Sequence, residues 1–450
     1  MKLCNRLTLK FEQPEWITDP ELALFDEILN EYPCICELIK DDILKISNNN
    51  DRGRQDSPTV EQVLRSAIYK EMRKLTYRDL EYAEKDSKIC EHFLKLEGRE
   101  PFSYQVLQKY ISSISGESLK KVLVEINKIA MAEGMENLKS IKRIRLDTTV
   151  VETDIHYPTN NHLVWDSIRK LDRQLKQIAQ AHKRKYRSTI KQAKKNFFKI
   201  NVEKKDEKRQ EVFEEQLKLL MSLIKLGDSI IGKCATHENE IADLLLELED
   251  MLKVSRQVHD VAYRHQILKE KVSSHEKVVS IFERHTDIIV KGNREVKFGH
   301  KVSIATNKSN LILDCEVIKG NPKDTELFIA PLERIKYLYH KEIESVATDG
   351  GYASQSNLET AKHKLGIKNI VFNKIVGTMK SIAQSKTLET QLKKWRSGIE
   401  AVISNVKRGF DLRRCTWKGD EHFDAKVLWS VIGYNIRVIS GFMLNHHLLA

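Results

Sequence analysis

At 450 residues the chain is long enough for two or three domains, and 41% hydrophobic with 31% charged residues excludes a disordered or membrane-embedded protein in favour of a globular one with strongly charged surfaces. Its formal net charge of +12 favours a polyanionic partner, nucleic acid first and an anionic membrane second, because clustered Lys and Arg gain affinity by releasing condensed counterions. The seven cysteines (Cys4, Cys34, Cys36, Cys90, Cys234, Cys315 and Cys415) are odd in number and lack C-x-x-C spacing, which argues for reduced cytosolic thiols rather than a disulfide framework or a zinc site.

Residues 1–57 read as a mixed N-terminal segment closing in a polar linker, NNNDRGRQDSP. Residues 58–136 read as a helical domain. TVEQVLRSAIYKEMRKL, TYRDLEYAEKD, SKICEHFLKL and SYQVLQKYISSI each start near Ser or Thr and carry apolar residues at helical spacing. They fit a DNA-binding helix-turn-helix module and a plain helical bundle equally well. Next, within 137–160, IRLDTTVVETD alternates and is rich in β-branched residues, as a buried strand is. Asp147 interrupts its apolar run, where an unpaired charge is expensive.

From 161 to 285 the helical period returns. Ile168, Leu171, Leu175 and Ile178, then Phe213, Leu217, Leu220 and Ile224, then Ile241, Leu245, Leu248 and Leu252 predict two or three long antiparallel helices, with a break at LGDSIIGK. Between Arg169 and Arg209 stand 16 Lys/Arg against 4 Asp/Glu, an excess as large as that of the whole chain. A solvated coiled-coil face usually alternates its signs, so this basic arm, with Lys183, Arg184, Lys185, Arg187, Lys194 and Lys195, is expected to contact phosphates.

Over 286–450 the period changes to two. Phe298, Val302 and Ile304, a turn at NKSN, and Leu311, Leu313, Cys315 and Val317 predict a hairpin. A helix from DTELFIAPLERIKYLYH, a strand from IESVATDGGY, a helix capped by Ser356 and a strand from IKNIVF follow. The whole describes an α/β sheet flanked by helices, with a long helical insertion after its first strand. The apolar stretch from Val427 contains Asn435 and Arg437 and predicts a buried terminal helix, not a membrane span; no secretory leader is expected.

Asp349 ends its strand immediately before Gly350 and Gly351, where open α/β sheets gather ligands. Two strand carboxylates about 200 residues apart suggest a shared Mg²⁺ or Mn²⁺ site, since these ions take oxygen ligands. WRSGIEAVISNVKRGF offers a third acid. On one helix Arg396, Glu400, Ile403 and Lys407 share a face, with Glu400 between two cations.

The Arg, three residues, Glu, six residues, Lys spacing resembles the signature around the final acid of DDE insertion-sequence transposases. TDGGYAS resembles their second-acid motif, and LDTTVVETDIHYPTNNHLVWD resembles the first-acid segment of the ISNCY-like group, including its Tyr-Pro-Thr. The resemblance runs from about Thr59 to Asn435, with one departure: Lys393 stands where the signature often has Tyr. It implies an RNase H-like catalytic core, with Asp147, Asp349 and Glu400 as catalytic triad and metal ligands. Two Mg²⁺ or Mn²⁺ ions would activate the attacking oxygen and stabilise the leaving one. Arg396 and Lys407 match the accompanying cations and are expected to contact DNA, Lys407 at a phosphate about 10.5 Å along the helix from Glu400. The implied protein is cytoplasmic and nucleoid-associated. It binds the terminal inverted repeats of a mobile element, cuts them and joins them to target DNA as a homodimer or higher oligomer, with no membrane partner. A DNA-binding relative without catalysis and a metal-dependent nuclease without strand transfer are the competing readings.

Overall fold

The structure, a computed structural model, describes residues 19–46, 57–96, 98–133, 138, 140–234, 241–291, 295–374 and 379–447. Most of the expected linker at 48–58 lies outside them. The chain forms two compact units, one from residues 1–154 and 299–450, the other from 155–298.

In the first unit, α1 (Pro20–Glu31) and α2 (Cys34–Ile46) precede α3 (Val60–Arg73), α4 (Tyr77–Asp86), α5 (Lys88–Phe93), α6 (Tyr104–Ser112) and α7 (Gly116–Glu133). The Ser and Thr starts seen in the sequence cap these helices. Thr59 and Gln62 close a reciprocal capping box on α3, as Thr76 and Asp79 do on α4. Ser87 and Ser103 cap α5 and α6. The helices share one hydrophobic cluster with the sheet: Phe25, Leu64 and Phe93 belong to the same core as Leu146, Ile304 and Trp429.

The sheet begins with β1 (Arg143–Thr153), which pairs antiparallel with β3 (Glu295–Thr306) and sets Asp147 opposite Ile304. β3 pairs antiparallel with β4 (Ile312–Ile318). On its other edge β1 runs parallel to β5 (Ser345–Asp349), which runs parallel to β6 (Asn369–Asn373), giving the order β4-β3-β1-β5-β6. Strand pairing on that edge stops at Arg145 and resumes at Glu152 with β7 (Arg414–Cys415). The stretch between, which holds Asp147, is left to side chains arriving from helices.

α12 (Ile329–Tyr339) links β4 to β5, and α13 (Gln355–Glu359), continued by a wider π turn over Thr360–Lys364, links β5 to β6. The cap of α13 is Ser354, whose side chain accepts from the Asn357 amide, so the expected cap at Ser356 is corrected by two residues. α14 (Lys386–Arg396) and α15 (Gly398–Gly409) follow, then α16 (Asp420–His447). α16 is long and apolar enough to cross a membrane by composition, yet 72% of its most apolar window is buried within the protein. Asn435 shows why it is a core helix: its side chain accepts from Ile312 N (3.0 Å) and donates to Ile312 O (2.7 Å) and Asn127 Oδ1 (2.9 Å), closing the edge of β4 in a buried polar network.

The second unit packs α8 (Asn160–Ala181), α9 (Ile190–Val202), α10 (Asp206–Cys234) and α11 (Ala242–Gln266) around Leu171, Leu175, Phe213, Leu220 and Leu252, and also holds β2 (Asp287–Lys291). The expected break at LGDSIIGK does not occur, for α10 runs through it to Cys234. Gly227 is there for packing: a Cβ on it would meet Leu252 Cδ2 of α11 at 2.8 Å. The glycine lets two helices approach closely rather than ending one.

Candidate active site

Register brings the two aspartates together. β1 and β5 pair Arg145 with Ala347, and continuing two residues brings Asp147 level with Asp349 on the neighbouring strand. β5 ends at Asp349, and its chain turns away through Gly350, where a Cβ would lie 2.3 Å from Lys374 O. Only glycine fits that passage. Each aspartate ties one oxygen to the next amide: Asp147 Oδ1 accepts from Thr148 N and Asp349 Oδ1 from Gly350 N, both at 2.8 Å. The remaining oxygen of each faces the same partner.

That partner is Arg396, at the end of α14. Its Nη2 lies 2.7 Å from Asp147 Oδ2 and 3.8 Å from Asp349 Oδ2, while Nη1 donates to Glu400 Oε1 at 3.1 Å. Three acids remote in sequence thus converge on one guanidinium, whose side chain is only 8% exposed. Asp147 is 18% exposed, Asp349 46% and Glu400 68%, so the site opens from the sheet outward. Glu400 lies in the first turn of α15, where the helix dipole favours a carboxylate.

The single helix expected around Glu400 is two. α14 stops at Arg396 and α15 starts at Gly398. The reason lies in Arg145, fully buried on β1. Its guanidinium donates to Trp395 O (2.7 Å), to Thr306 Oγ1 (2.9 Å) and to Asn310 Oδ1, and sits 5.0 Å from the Trp395 ring centroid. It takes the carbonyl at the end of α14, and a Cβ on Gly398 would come within 2.4 Å of its Nη1. Burial draws its pKa down to about 10, which leaves it charged at neutral pH. Sequence reading missed Arg145, although the signal was the one that exposed Asp147: a charge inside an apolar strand.

The other expected residues divide. Lys407 lies beside the site and donates to Val150 O at 2.7 Å, on the unpaired edge of β1. Arg396 touches all three acids and is largely buried. Glu152 and Asp154, the spare acids nearby, are met by Arg414 at 3.3 and 3.8 Å. Trp395 packs on Leu392, Ala347 and Val371.

Within the second unit, Lys183, Arg184, Lys185, Arg187, Lys194 and Lys195 are all exposed. None forms an ion pair among the described residues. The loop bearing the first four is anchored at buried Asp172, which accepts from Tyr186 Oη (2.9 Å), Ser188 Oγ (2.8 Å) and Thr189 N (3.1 Å). Its cations therefore stand on a fixed scaffold.

The donor set suits hard divalent cations, being three carboxylates and nothing softer. The acids do not themselves close on one ion-sized centre, since the Arg396 guanidinium lies between them.

No curated protein and no solved structure matches the chain. Residues 282–436, which include Asp349, Arg396, Glu400 and Lys407, match the family model described as the transposase DDE domain. Over that stretch, about a third of its length, the chain is similar to the DDE domain of transposases.

Proposed function

We propose that the chain binds the ends of a mobile element, cleaves the phosphodiester there and joins the freed 3′ end to target DNA, with Asp147, Asp349 and Glu400 as its catalytic carboxylates. The observation that carries this reading is the convergence of those three acids on Arg396. The strand order, three antiparallel strands followed by two parallel to the first, supports an RNase H-like core. The first-acid segment supports membership of the ISNCY-like group.

Asp147 Oδ2, Asp349 Oδ2 and the Glu400 carboxylate would hold the two divalent ions. Bound there, such ions supply counter-charge to the acids and Lewis-acid polarisation of phosphate oxygens. The chain's own part is positional. β1 and β5 fix the aspartates, the amides of Thr148 and Gly350 hold their inner oxygens, and α15 presents Glu400. Arg396 neutralises the acids between turnovers and would shift as ions enter. In the first step water attacks and one P–O bond exchanges for another, leaving a 3′ hydroxyl. In the second that hydroxyl attacks a target phosphodiester and expels a strand, again one P–O bond for one, so no energy source is needed. Joining two ends to one target calls for two such centres, hence a dimer or larger assembly. The exposed cations of the second unit supply further phosphate contacts.

The test is incubation of purified protein with labelled DNA carrying the element's ends, target DNA and Mg²⁺. Strand-transfer products are expected. Cleavage without joining would make the chain a nuclease, and neither product with Mg²⁺ or Mn²⁺ would leave a DNA-binding relative.

A further inference from the structure

Away from the triad, a cleft of about 630 Å³ opens where α3, α4 and α6 meet the segment after β7 and the start of α16. That is within the range of small-ligand sites, and no triad residue lines it. Its floor holds a buried charge cluster. Glu71 accepts from Lys70 at 3.0 Å and from Lys426 at 2.8 Å, one carboxylate oxygen to each ammonium. None of the three side chains is more than 8% exposed. Two buried ammoniums against one carboxylate leave a positive charge without a buried partner, a costly arrangement that an anion would relieve. Around the rim Lys74, Lys418 and His422 face one carboxylate, Asp411, so the lining as a whole is positive.

One wall is aromatic. Tyr77 and Trp417 lie with ring centroids 6.2 Å apart, and the Lys70 ammonium sits 5.0 Å from the first ring and 6.0 Å from the second. The Tyr77 hydroxyl is buried and has no hydrogen-bond partner among the described residues. Buried polar groups are normally satisfied, so this hydroxyl is a donor awaiting an acceptor.

We infer that this cleft binds a nucleotide, the base lying against Trp417 and the phosphate meeting Lys74, Lys418 and the surplus charge of the Lys70–Glu71–Lys426 cluster. Stacking on an aromatic side chain tolerates any base. The ligand chemistry is shared by an unpaired nucleotide in a DNA strand and by a free mononucleotide. The inference does not rest on the catalytic reading, because the cleft and the triad share no residue.

The test is calorimetric titration of the full chain in chelator with deoxyadenosine monophosphate, deoxyribose 5-phosphate and inorganic phosphate. The nucleotide should bind at least tenfold more tightly than the two base-less probes, and Trp417→Leu should weaken it by about tenfold. Tyr77→Phe and Lys74→Ala, which spare the buried cluster, should each weaken it too, at unchanged melting temperature. Equal binding of phosphate and nucleotide, no binding at all, or indifference to Trp417→Leu would overturn the inference. Competition separates the sources. Displacement by DNA with an unpaired terminal nucleotide, but not by a fully paired duplex, identifies a strand nucleotide; displacement by neither identifies a free one. Equal displacement by both DNAs would mean a surface phosphate contact and no nucleotide site. With no divalent ion present, failure here leaves the cleavage reading standing.

Discussion

Arg396 stands where opposite charge is most needed, and its removal separates structure from catalysis. Asp147 is mostly buried and loses its nearest cation in Arg396→Met, so the variant should be less stable in chelator by on the order of 2–4 kcal/mol. Mg²⁺ should restore part of the lost melting temperature, because ions at the acids replace the missing charge. An unchanged melting temperature in chelator would mean that the guanidinium is not the acids' partner. Arg145 acts one layer further back. Arg145→Lys keeps a charge but cannot hold Trp395 O, Thr306 and Asn310 together, so α14 and α15 should drift relative to β1. Turnover of end cleavage should fall about 100-fold with KM for DNA little changed, the signature of misplaced rather than lost groups. A rise in KM at unchanged turnover would assign Arg145 to DNA binding. At this scale a charge interrupting an apolar run made Asp147 stand out, although the same signal at Arg145 went unread. The sequence was unreadable where the partner is distant: nothing near Lys407 announces Val150 O as its acceptor, since that bond depends on β5 and β7 leaving part of the β1 edge unpaired.

Elements were legible through their periods and caps, and misread where a residue serves two purposes. Gly227 looks like a breaker in isolation, and only Leu252 of α11 shows it to be a contact. Ser397 interrupts a helix that its flanking sequence would continue, because buried Arg145 claims the Trp395 carbonyl two residues before it. Among the N-terminal helices, Glu84 of α4 offers a pH test. Burial pushes its carboxyl up to about 8, against a lowering hydrogen bond from Phe102 N. A carboxyl raised in the folded state holds its proton there and not in the unfolded chain. Its stabilising contribution is full below about pH 4.5 and is lost as pH climbs through 8. Glu84→Gln, which mimics the protonated acid, should therefore match wild type near pH 5 and exceed it in melting temperature near pH 8.5. Parallel stability curves would show Glu84 to be ionised throughout. The basic loop of the second unit makes the opposite kind of prediction. Neutralising Lys183, Arg184, Lys185, Arg187, Lys194 and Lys195 should barely change stability, since exposed charges add little. End-DNA affinity should fall steeply, and its salt dependence should flatten by about 0.9 per lost phosphate contact. An unchanged salt slope would make the arm a solvated scaffold.

Across the whole molecule, sequence order and spatial order diverge, and function sits at the divergence. Strands β1 and β3 are neighbours in the sheet yet separated by the helices of the second unit; Asp147 and Asp349 come level because β1 and β5 pair in parallel, and Glu400 joins them from α15 through Arg396. Strand alternation and turn residues carried the hairpin and the two short parallel strands. The shared core of the N-terminal helices, the sheet and α16 was not visible, because Asn127, Asn435 and the edge of β4 find one another across the full length of the chain. The central claim is that Asp147, Asp349 and Glu400 form one cutting centre. Its most direct test is single-turnover cleavage of labelled end DNA in Mg²⁺ by wild type, Asp147→Asn, Asp349→Asn and Glu400→Gln, with end binding measured on the same preparations. Each substitution removes one charge and almost no volume, so all three variants should bind ends within about threefold of wild type and cut at least about 1,000-fold more slowly. Cleavage near the wild-type rate by any one of them would remove that residue from the centre and contradict the account.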